Sequence, residues 1–256
     1  MNDFRKLIHA RRNILSGLGM AVLVALIFWA VNSPAIVGAS ASNRQLPVYS
    51  VERSDKKISL SFDAAWGNED TQNLIDILNK YHVNTTFFVV GDWVDRYPES
   101  VKALSDAGNE VMNHSSSHAH FSQLSERQIQ EDISACNEKI QAITGTAPSL
   151  FRCPYGEYDD HVIQTVRSMG MEPVQWSVDS LDWKEISADE ITQRVLNRVE
   201  PGAIILFHNA AKHTPEALPG IIEALQAEGY QIVPISQLLL TGDTWIDNTG
   251  KQCAKD

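Results

Sequence analysis

The chain has 256 residues and a formal charge of -11, with 43% hydrophobic and 21% charged residues. This composition is ordinary for a globular enzyme, and the length leaves room for one domain of about 200 residues beside an N-terminal segment. An acidic chain is a poor candidate for binding nucleic acid, which requires clustered lysine and arginine. The net charge sets no such limit on a neutral sugar substrate.

An uncharged apolar run covers residues 14–31 and follows four basic residues, Arg5, Lys6, Arg11 and Arg12. The run is just long enough to cross a hydrocarbon core of about 30 Å. Basic residues before it predict that residues 1–13 are cytoplasmic and that the chain beyond residue 31 is extracytoplasmic. We therefore expect a single-pass anchor in the cell membrane, or a signal peptide cleaved near Ala39-Ser40-Ala41 and a secreted domain.

Strand-like and helix-like stretches alternate along the remaining chain, which predicts an α/β fold with parallel strands. The predicted strands cover residues 57–62, 85–90, 110–112, 149–152, 173–176, 203–207 and 231–234. The predicted helices cover residues 70–80, 98–107, 125–143, 160–169, 188–199 and 215–228, with Ser125 as an N-cap and Gly145 after the longest helix. About seven βα units without a glycine-rich nucleotide loop predict a (β/α) barrel.

Short polar motifs end successive predicted strands, although buried strands normally end in turn residues. In chain order they are Ser61-Phe62-Asp63, His114-Ser115-Ser116-Ser117-His118, Arg152-Cys153-Pro154-Tyr155-Gly156, Asp179-Ser180-Leu181-Asp182-Trp183 and Leu206-Phe207-His208. The carboxyl ends of parallel strands are where α/β barrels build active sites. The ordered set therefore predicts a hydrolase site that depends on a metal.

His114 and His118 are the candidate metal ligands. On a helical turn their spacing would bring both imidazoles to one face, and neutral imidazole is a common ligand for Zn²⁺ and similar ions. The alternative is a solvated polar loop, since three serines lie between them.

Asp63 and Arg152 are candidates for a general base and the residue that keeps it ionised. The alternatives are a turn or capping aspartate and an ordinary surface ion pair. His208 ends the most apolar strand and is a candidate general acid, with Asp182 holding its proton and Trp183 walling the pocket. The alternative for His208 is a satisfied core histidine.

The three cysteines, Cys136, Cys153 and Cys253, form no CxxC motif. The sequence therefore indicates neither a disulfide framework nor a zinc-thiolate site, although a Cys136–Cys153 bridge stays open. Cys153 lies inside a polar motif, so a nucleophile is an alternative. A small packing residue is the favoured interpretation, because no histidine with an orienting partner is implied beside it.

These ordered motifs resemble the polysaccharide deacetylases, the family 4 carbohydrate esterases that share the NodB homology domain. The resemblance covers residues 56–240, after a linker at 32–55 and before a polar tail at 241–256 to which we assign no function. It implies a distorted (β/α) barrel of about seven parallel strands. It also implies removal of acetyl groups from polysaccharides with a divalent metal, with Zn²⁺ expected and Co²⁺ or another divalent ion as alternatives.

The resemblance assigns a role to each matched residue. Asp63 is the general base, Arg152 orients it, and His114 and His118 bind the metal. The backbone N–H of Tyr155 helps to stabilise the oxyanion, and Asp182 tunes His208, which protonates the leaving amine. Trp183 and Leu206 line the pocket for the acetyl methyl group.

One position departs from the family pattern. The family's first motif has two adjacent aspartates, the second being the third metal ligand, and here that position is Ala64. Glu69, Asp70 or water could substitute. The Asp-Ala-Ala-Trp-Gly pattern of residues 63–67 resembles the sporulation-associated, PdaB-like branch, which also carries an N-terminal membrane segment.

The expected function is removal of N-acetyl groups from cell-wall polysaccharide, with peptidoglycan amino sugars as the expected substrate. Two alternatives stay open. One is a catalytically degenerate protein of the same fold that binds cell-wall glycan, because Ala64 removes a metal ligand. The other is an O-acetyl carbohydrate esterase, which would use the same residues.

Overall fold

The computed structural model describes residues 44–255. Its strands are β1 (Ser50–Val51), β2 (Lys57–Ala64), β3 (Thr86–Val89), β4 (Glu110–Asn113), β5 (Leu150–Phe151), β6 (Glu172–Pro173), β7 (Val178–Asp179), β8 (Ile204–His208), β9 (Gln231–Ile232), β10 (Thr244–Ile246) and β11 (Lys251–Ala254). Its helices are α1 (Thr71–Lys80), α2 (Gly91–Arg96), α3 (Pro98–Asp106), α4 (Glu126–Thr144), α5 (Asp160–Ser168), α6 (Ala188–Leu196), α7 (Thr214–Ala227) and α8 (Ile235–Leu238).

The main sheet contains parallel strands in the spatial order β6-β5-β4-β3-β2-β8-β7, and β9 pairs with the start of β2. Strands β6 and β7 lie at opposite edges of this order, yet residues 174–177 alone connect them. Such a connection spans at most roughly 18 Å, so the sheet must curl until its edges approach each other. The predicted α/β class and parallel strands are confirmed. The sheet is a curled half-barrel, since no ladder joins β6 to β7 among the described residues.

Side chains alternate between the two faces of the central strand β2. Ile58, Leu60, Phe62 and Ala64 pack in the larger hydrophobic cluster with the surrounding helices. Ser59, Ser61 and Asp63 therefore project to the inner face of the curled sheet. Asp63 is the last of these residues before β2 ends, which places its carboxylate at the carboxyl edge of the sheet.

The long helix α4 begins and ends where the sequence predicts. The Ser125 side chain accepts a hydrogen bond from the Gln128 backbone, and the Gln128 side chain bonds back to the Ser125 backbone, which is a capping box. Gly145 ends the helix in the left-handed conformation, with φ of 75°. Strand β7 and helix α2 were not predicted, because each is too short to show a hydrophobic period.

A second, three-stranded sheet has the order β1-β11-β10. Strand β1 lies in the predicted linker and pairs in parallel with β11 from the predicted tail. The tail to which the sequence assigned no function therefore has a structural place, with Gln252 buried and bonded to Leu240. Trp245 on β10 is 49% exposed.

The predicted membrane segment at residues 14–31 lies outside the described residues. Among residues 44–255, no helix has both the length and the apolar character needed to cross a bilayer.

Candidate active site

A cavity of about 390 Å³ opens at the carboxyl edge of the curled sheet. Its lining includes seven of the nine predicted site residues, all but Arg152 and Asp182, together with residues that were not predicted. The lining residues are Asp63, Ala65, Trp66, His114, His118, Tyr155, Gly156, Trp176, Asp179, Trp183, Leu206 and His208. The prediction that the strand ends converge on one site is confirmed by this arrangement.

Asp63 is held by a buried arginine that follows β5, three strands away from β2 in the sheet. Arg152, which follows β5 and is fully buried, donates from Nη1 to Asp63 Oδ1 at 2.7 Å. Its Nη2 donates to Ser61 Oγ at 2.9 Å and to the Gln175 carbonyl at 3.2 Å. The guanidinium also packs over the Phe88 ring, 4.1 Å from the centroid. The pair is therefore a buried one, and the surface ion pair considered as an alternative is wrong.

Burial and charge act in opposite directions on the Asp63 carboxyl group. Burial alone would raise its pKa, but the adjacent Arg152 guanidinium, with smaller contributions from His114 and His208, holds the pKa below its ordinary range. Oδ1 is occupied by Arg152, while Oδ2 lies 3.4 Å from His114 Nε2 at the cavity. An ionised oxygen is thus available to accept a proton in the cavity.

His208 is fixed by Asp182, which is buried in the turn after β7. The two residues share a bond of 2.8 Å between His208 Nδ1 and Asp182 Oδ1. Asp182 Oδ2 accepts from the His208 backbone N–H at 2.8 Å and from the Thr214 hydroxyl at 2.7 Å. Asp179 lines the cavity and accepts from the Leu181 N–H, which shapes the turn that places Asp182.

The Asp182 carboxylate also sets the protonation of His208. Burial of the ring lowers its pKa, but the hydrogen bond and the negative charge of Asp182 outweigh burial and raise the pKa above its ordinary value. Because Nδ1 is bonded to Asp182, Nε2 is the ring nitrogen that remains to give a proton. His208 and Asp63 are register partners on β8 and β2, so an acid and a base stand side by side.

His114 and His118 lie in a loop, and the predicted helical turn is wrong. Ser115 and His118 both have left-handed backbones, with φ of 74° and 56°. Side chains hold the loop in this shape: Ser115 N–H donates to Asn113 Oδ1 at 2.7 Å, and Ser116 N–H donates to Asp132 Oδ1 at 2.7 Å. The two imidazoles nevertheless converge, with ring centroids 5.0 Å apart.

Both imidazoles are neutral near neutral pH. Burial lowers the pKa of His114, and burial followed by the charge of His114 lowers the pKa of His118 to about 4. His114 Nδ1 lies 2.8 Å from the Arg152 carbonyl, an acceptor, so Nδ1 carries the hydrogen and Nε2 keeps its lone pair. Each property suits a nitrogen ligand for a metal.

The described residues do not supply a third ligand. Ala64 is fully buried in the hydrophobic cluster on the opposite side of the sheet from Asp63. The predicted substitutes Glu69 and Asp70 do not line the cavity, and Asp70 Oδ2 instead accepts from the Ala210 N–H at 2.9 Å. No group of three or more His, Cys, Asp or Glu suited to a metal occurs within residues 44–255. The residues present therefore do not form a three-ligand centre.

Tyr155 lies at the mouth of the cavity in a strained turn. Its φ of 60° is left-handed, which turns the backbone after Pro154. Its exposed ring contacts the edge of His118 and stacks on His120, with both centroid distances 4.4 Å. His120 is held in turn by Glu157 at 2.7 Å. The turn is thus fixed from both sides of the tyrosine ring.

Trp183 and Leu206 line the cavity as predicted, and Trp66 and Trp176 were missed. The sequence did offer one signal for Trp66, since it is a large aromatic residue three positions after Asp63; it is half-exposed in the structure.

The three cysteines are buried and free, which contradicts a Cys136–Cys153 bridge. Burial raises the pKa of Cys153, so the thiolate nucleophile considered as an alternative is disfavoured.

The comparisons with known proteins agree with this site. The polysaccharide deacetylase family model matches residues 50–174. The peptidoglycan-N-acetylmuramic acid deacetylase PdaC of Bacillus subtilis is 37% identical over 73% of this chain and 40% of its own length. PdaA of the same organism, described in the same words, is 33% identical over 72% of each protein. The chain spans 60% and 40% of the length of the first two curated relatives that it matches.

A solved structure shares the fold at a similar level of identity. BA3943 of Bacillus anthracis, described as a family 4 pseudoenzyme, is 35% identical with a TM-score of 0.73, over 75% of this chain and 68% of that chain. A mutant of BA3943 with restored enzymatic activity matches equally well, with a TM-score of 0.73. On the family model, the relatives and the shared fold, the chain belongs to the polysaccharide deacetylase family, the family 4 carbohydrate esterases.

Proposed function

We propose that the protein removes N-acetyl groups from cell-wall polysaccharide, with peptidoglycan amino sugars as the substrate. The observation that carries the proposal is the acid–base pair on adjacent strands: Arg152 lowers the pKa of Asp63, and Asp182 raises the pKa of His208. Relatives over most of the domain are named as peptidoglycan deacetylases, which supports the substrate class.

The proposed chemistry uses the chain's own groups as follows. A water molecule attacks the amide carbonyl: the water oxygen bonds to the carbonyl carbon while Asp63 Oδ2 takes a proton from the water. The Tyr155 backbone N–H donates to the oxyanion that forms. The C–N bond then breaks and His208 Nε2 gives its proton to the nitrogen. The products are acetate and a free amino sugar.

The residues that the structure describes do not form a complete site for the metal that the family implies. His114 and His118 would supply two imidazole ligands, but the described residues provide no third one. Zn²⁺ or another divalent ion remains a proposal, and we assign no step to it.

A second candidate function is glycan binding without turnover. The observation that favours it is Ala64, an apolar core residue at the position where the family carries a metal ligand. That BA3943 is described as a pseudoenzyme shows that the fold occurs without activity at comparable identity.

We also propose that residues 14–31 export the domain, as an uncleaved anchor or a signal peptide. The basic residues before an uncharged run support this placement. Membership of the sporulation-associated branch stays a proposal based on residues 63–67.

Acetate release tests both candidates. Residues 45–255 belong to one compact unit, so a fragment beginning at Gln45 would be given N-acetylated peptidoglycan, chitin oligomers and an O-acetylated xylan, each with Zn²⁺, Co²⁺ or chelator. We expect acetate from the first two, and a loss of at least about 100-fold in Asp63→Asn and His208→Ala. Unchanged release in either variant would overturn the assigned roles. Folded protein that binds glycan but releases no acetate would establish the second candidate.

A further inference from the structure

Trp66 lies against the general acid of the proposed reaction. Its ring stacks on the His208 imidazole, with centroids 6.0 Å apart and an interplanar angle of 14°. Both side chains line the cavity, and Trp66 is 48% exposed. The indole therefore lies nearly parallel to the His208 imidazole at the outer limit of ring contact, while Asp182 binds its Nδ1 edge.

The loop that carries Trp66 is tied to the residue beside His208. Asn209 is buried and donates from Nδ2 to the carbonyls of Trp66 and Gly67, at 2.8 and 2.7 Å. The Gly67 carbonyl also accepts from Trp93 Nε1 at 2.6 Å, and Asn209 N–H donates to the Asp63 carbonyl at 3.0 Å. These bonds fix the backbone on which the indole is mounted relative to both β2 and β8.

We propose that Trp66 is a positioning residue that holds His208 with Nε2 toward the cavity and favours its protonated form through the face of the indole ring. The negative face of an indole attracts a cation within about 6 Å of its centroid. Two groups then act on the imidazolium, the carboxylate bonded to its Nδ1 and the nearly parallel indole ring 6.0 Å away. The catalytic consequence rests on the proposed function, whereas the contact between the rings does not.

Other titratable groups also act on His208 and stay unchanged in the test. They are Asp182 and Asp179 from the turn after β7, Asp63 from β2, and His114 from the loop after β4. A difference between variants at position 66 therefore reports the ring at that position.

The experiment compares Trp66→Leu, which keeps an apolar side chain without a ring, with Trp66→Phe, which keeps a ring. Trp245→Ala is the control, since Trp245 is similarly exposed but does not line the cavity. The full-length chain, isotopically labelled at its histidines and held in detergent, would be titrated with pH while NMR follows the His208 ring. We expect the proton affinity of His208 to fall about threefold in Trp66→Leu, a pKa lower by about half a unit, and less in Trp66→Phe. Trp245→Ala should match the parent chain.

Equal His208 pKa values in the parent chain and Trp66→Leu would overturn the proposal, as would an equal change in Trp245→Ala. The alkaline limb of acetate release, where release is measurable, should move by the same half unit. If no variant releases acetate, the proposed deacetylase function fails while the NMR titration still decides the role of Trp66.

Discussion

The two halves of the candidate active site differ in how completely their groups are paired. The proton-transfer half is defined as Asp63, Arg152, Asp182 and His208, and the histidine half as His114, His118 and the loop between them. In the first half each charged group has a partner within 2.8 Å. In the second, two ligands converge but Ala64 occupies the place of the third.

The difference shows that a set of paired charged residues can be retained for catalysis or for the stability of the domain. Arg152 and Asp182 are buried, and a buried charge without a partner costs several kcal/mol. The proton-transfer half must therefore stay paired for the domain to be stable, whether or not it turns over substrate. Ala64 carries no such constraint, since a methyl group fits its apolar surroundings. The complete pairing of the proton-transfer half is therefore not by itself evidence of turnover.

Breaking the Asp63–Arg152 pair should have the largest effect on stability. Arg152→Met removes the guanidinium and leaves the Asp63 carboxylate buried without its counter-charge. We expect the free energy of unfolding to fall by about 3 to 5 kcal/mol, measured by urea denaturation.

Arg127→Met is the matched control for this substitution. Arg127 pairs with Glu131 on the exposed surface of α4, so its loss should cost less than about 1 kcal/mol. If the two variants lose equal stability, the proton-transfer half is not a structural requirement, and its complete pairing would favour catalysis.

Adding a carboxylate to the histidine half should change its response to metal. Ala64→Asp places a carboxylate in the core at the end of β2, which should cost about 2 to 3 kcal/mol in the presence of chelator. Val90 N–H bonds to the Ala64 carbonyl and His114 N–H bonds to the Val89 carbonyl, so position 64 lies two strands from His114. Since Ala64 packs on the opposite side of the sheet from Asp63, Zn²⁺ must turn the end of β2 to bind the new carboxylate beside the two imidazoles. At about 100 times its Kd we expect Zn²⁺ to restore about 2.7 kcal/mol.

Ala64→Asn is the control, because it has the same shape without the charge. It should lose stability and gain little from Zn²⁺ in thermal unfolding. The absence of a zinc response in Ala64→Asp as well would mean that the missing carboxylate is not the sole defect of this half.

Much of the site could be predicted because the positions of strands along the chain, and the residues at their ends, are local features of the sequence. Asp63 follows alternating apolar residues, and His208 ends an apolar run, so both positions were fixed by period and boundary. The ends of α4 were predicted for a similar reason, since capping by Ser125 and Gly145 depends on near neighbours.

Features that depend on distant partners could not be predicted. The spacing of His114 and His118 suggested a helical turn. The loop between them takes a different shape because Asp132 on α4 binds the Ser116 N–H, a contact that local sequence does not reveal. The contact between Trp66 and His208 needs the β2–β8 pairing, and β1 becomes a strand only because β11 pairs with it. Two of the proposed third ligands, Glu69 and Asp70, do not line the cavity, and Asp70 accepts from the distant Ala210 N–H instead.

A pH profile would sharpen the description of the proton-transfer half. The pKa of Asp63 is lowered and that of His208 is raised, so the base is ionised and the acid protonated between these two values. Acetate release should therefore decline in acid below the ordinary aspartate pKa of about 3.9, and in alkali above the ordinary histidine value of about 6.5. Asp182→Asn removes the charge that raises the pKa of His208, so the alkaline limb should move down by about one unit. An unmoved limb would show that another group sets it.

The smallest expected effect comes from a group that both halves leave unused. Cys153 lies between Arg152 and the Tyr155 turn, but it is 1% exposed and burial raises its pKa. We therefore expect iodoacetamide at neutral pH to leave Cys153 unmodified in the folded protein, as read by mass spectrometry, and to leave acetate release unchanged. Cys153→Ser should likewise keep its activity. Rapid alkylation of Cys153 with loss of release would instead bring the thiol into the chemistry. The division into a proton-transfer half and a histidine half would then have to include a third group.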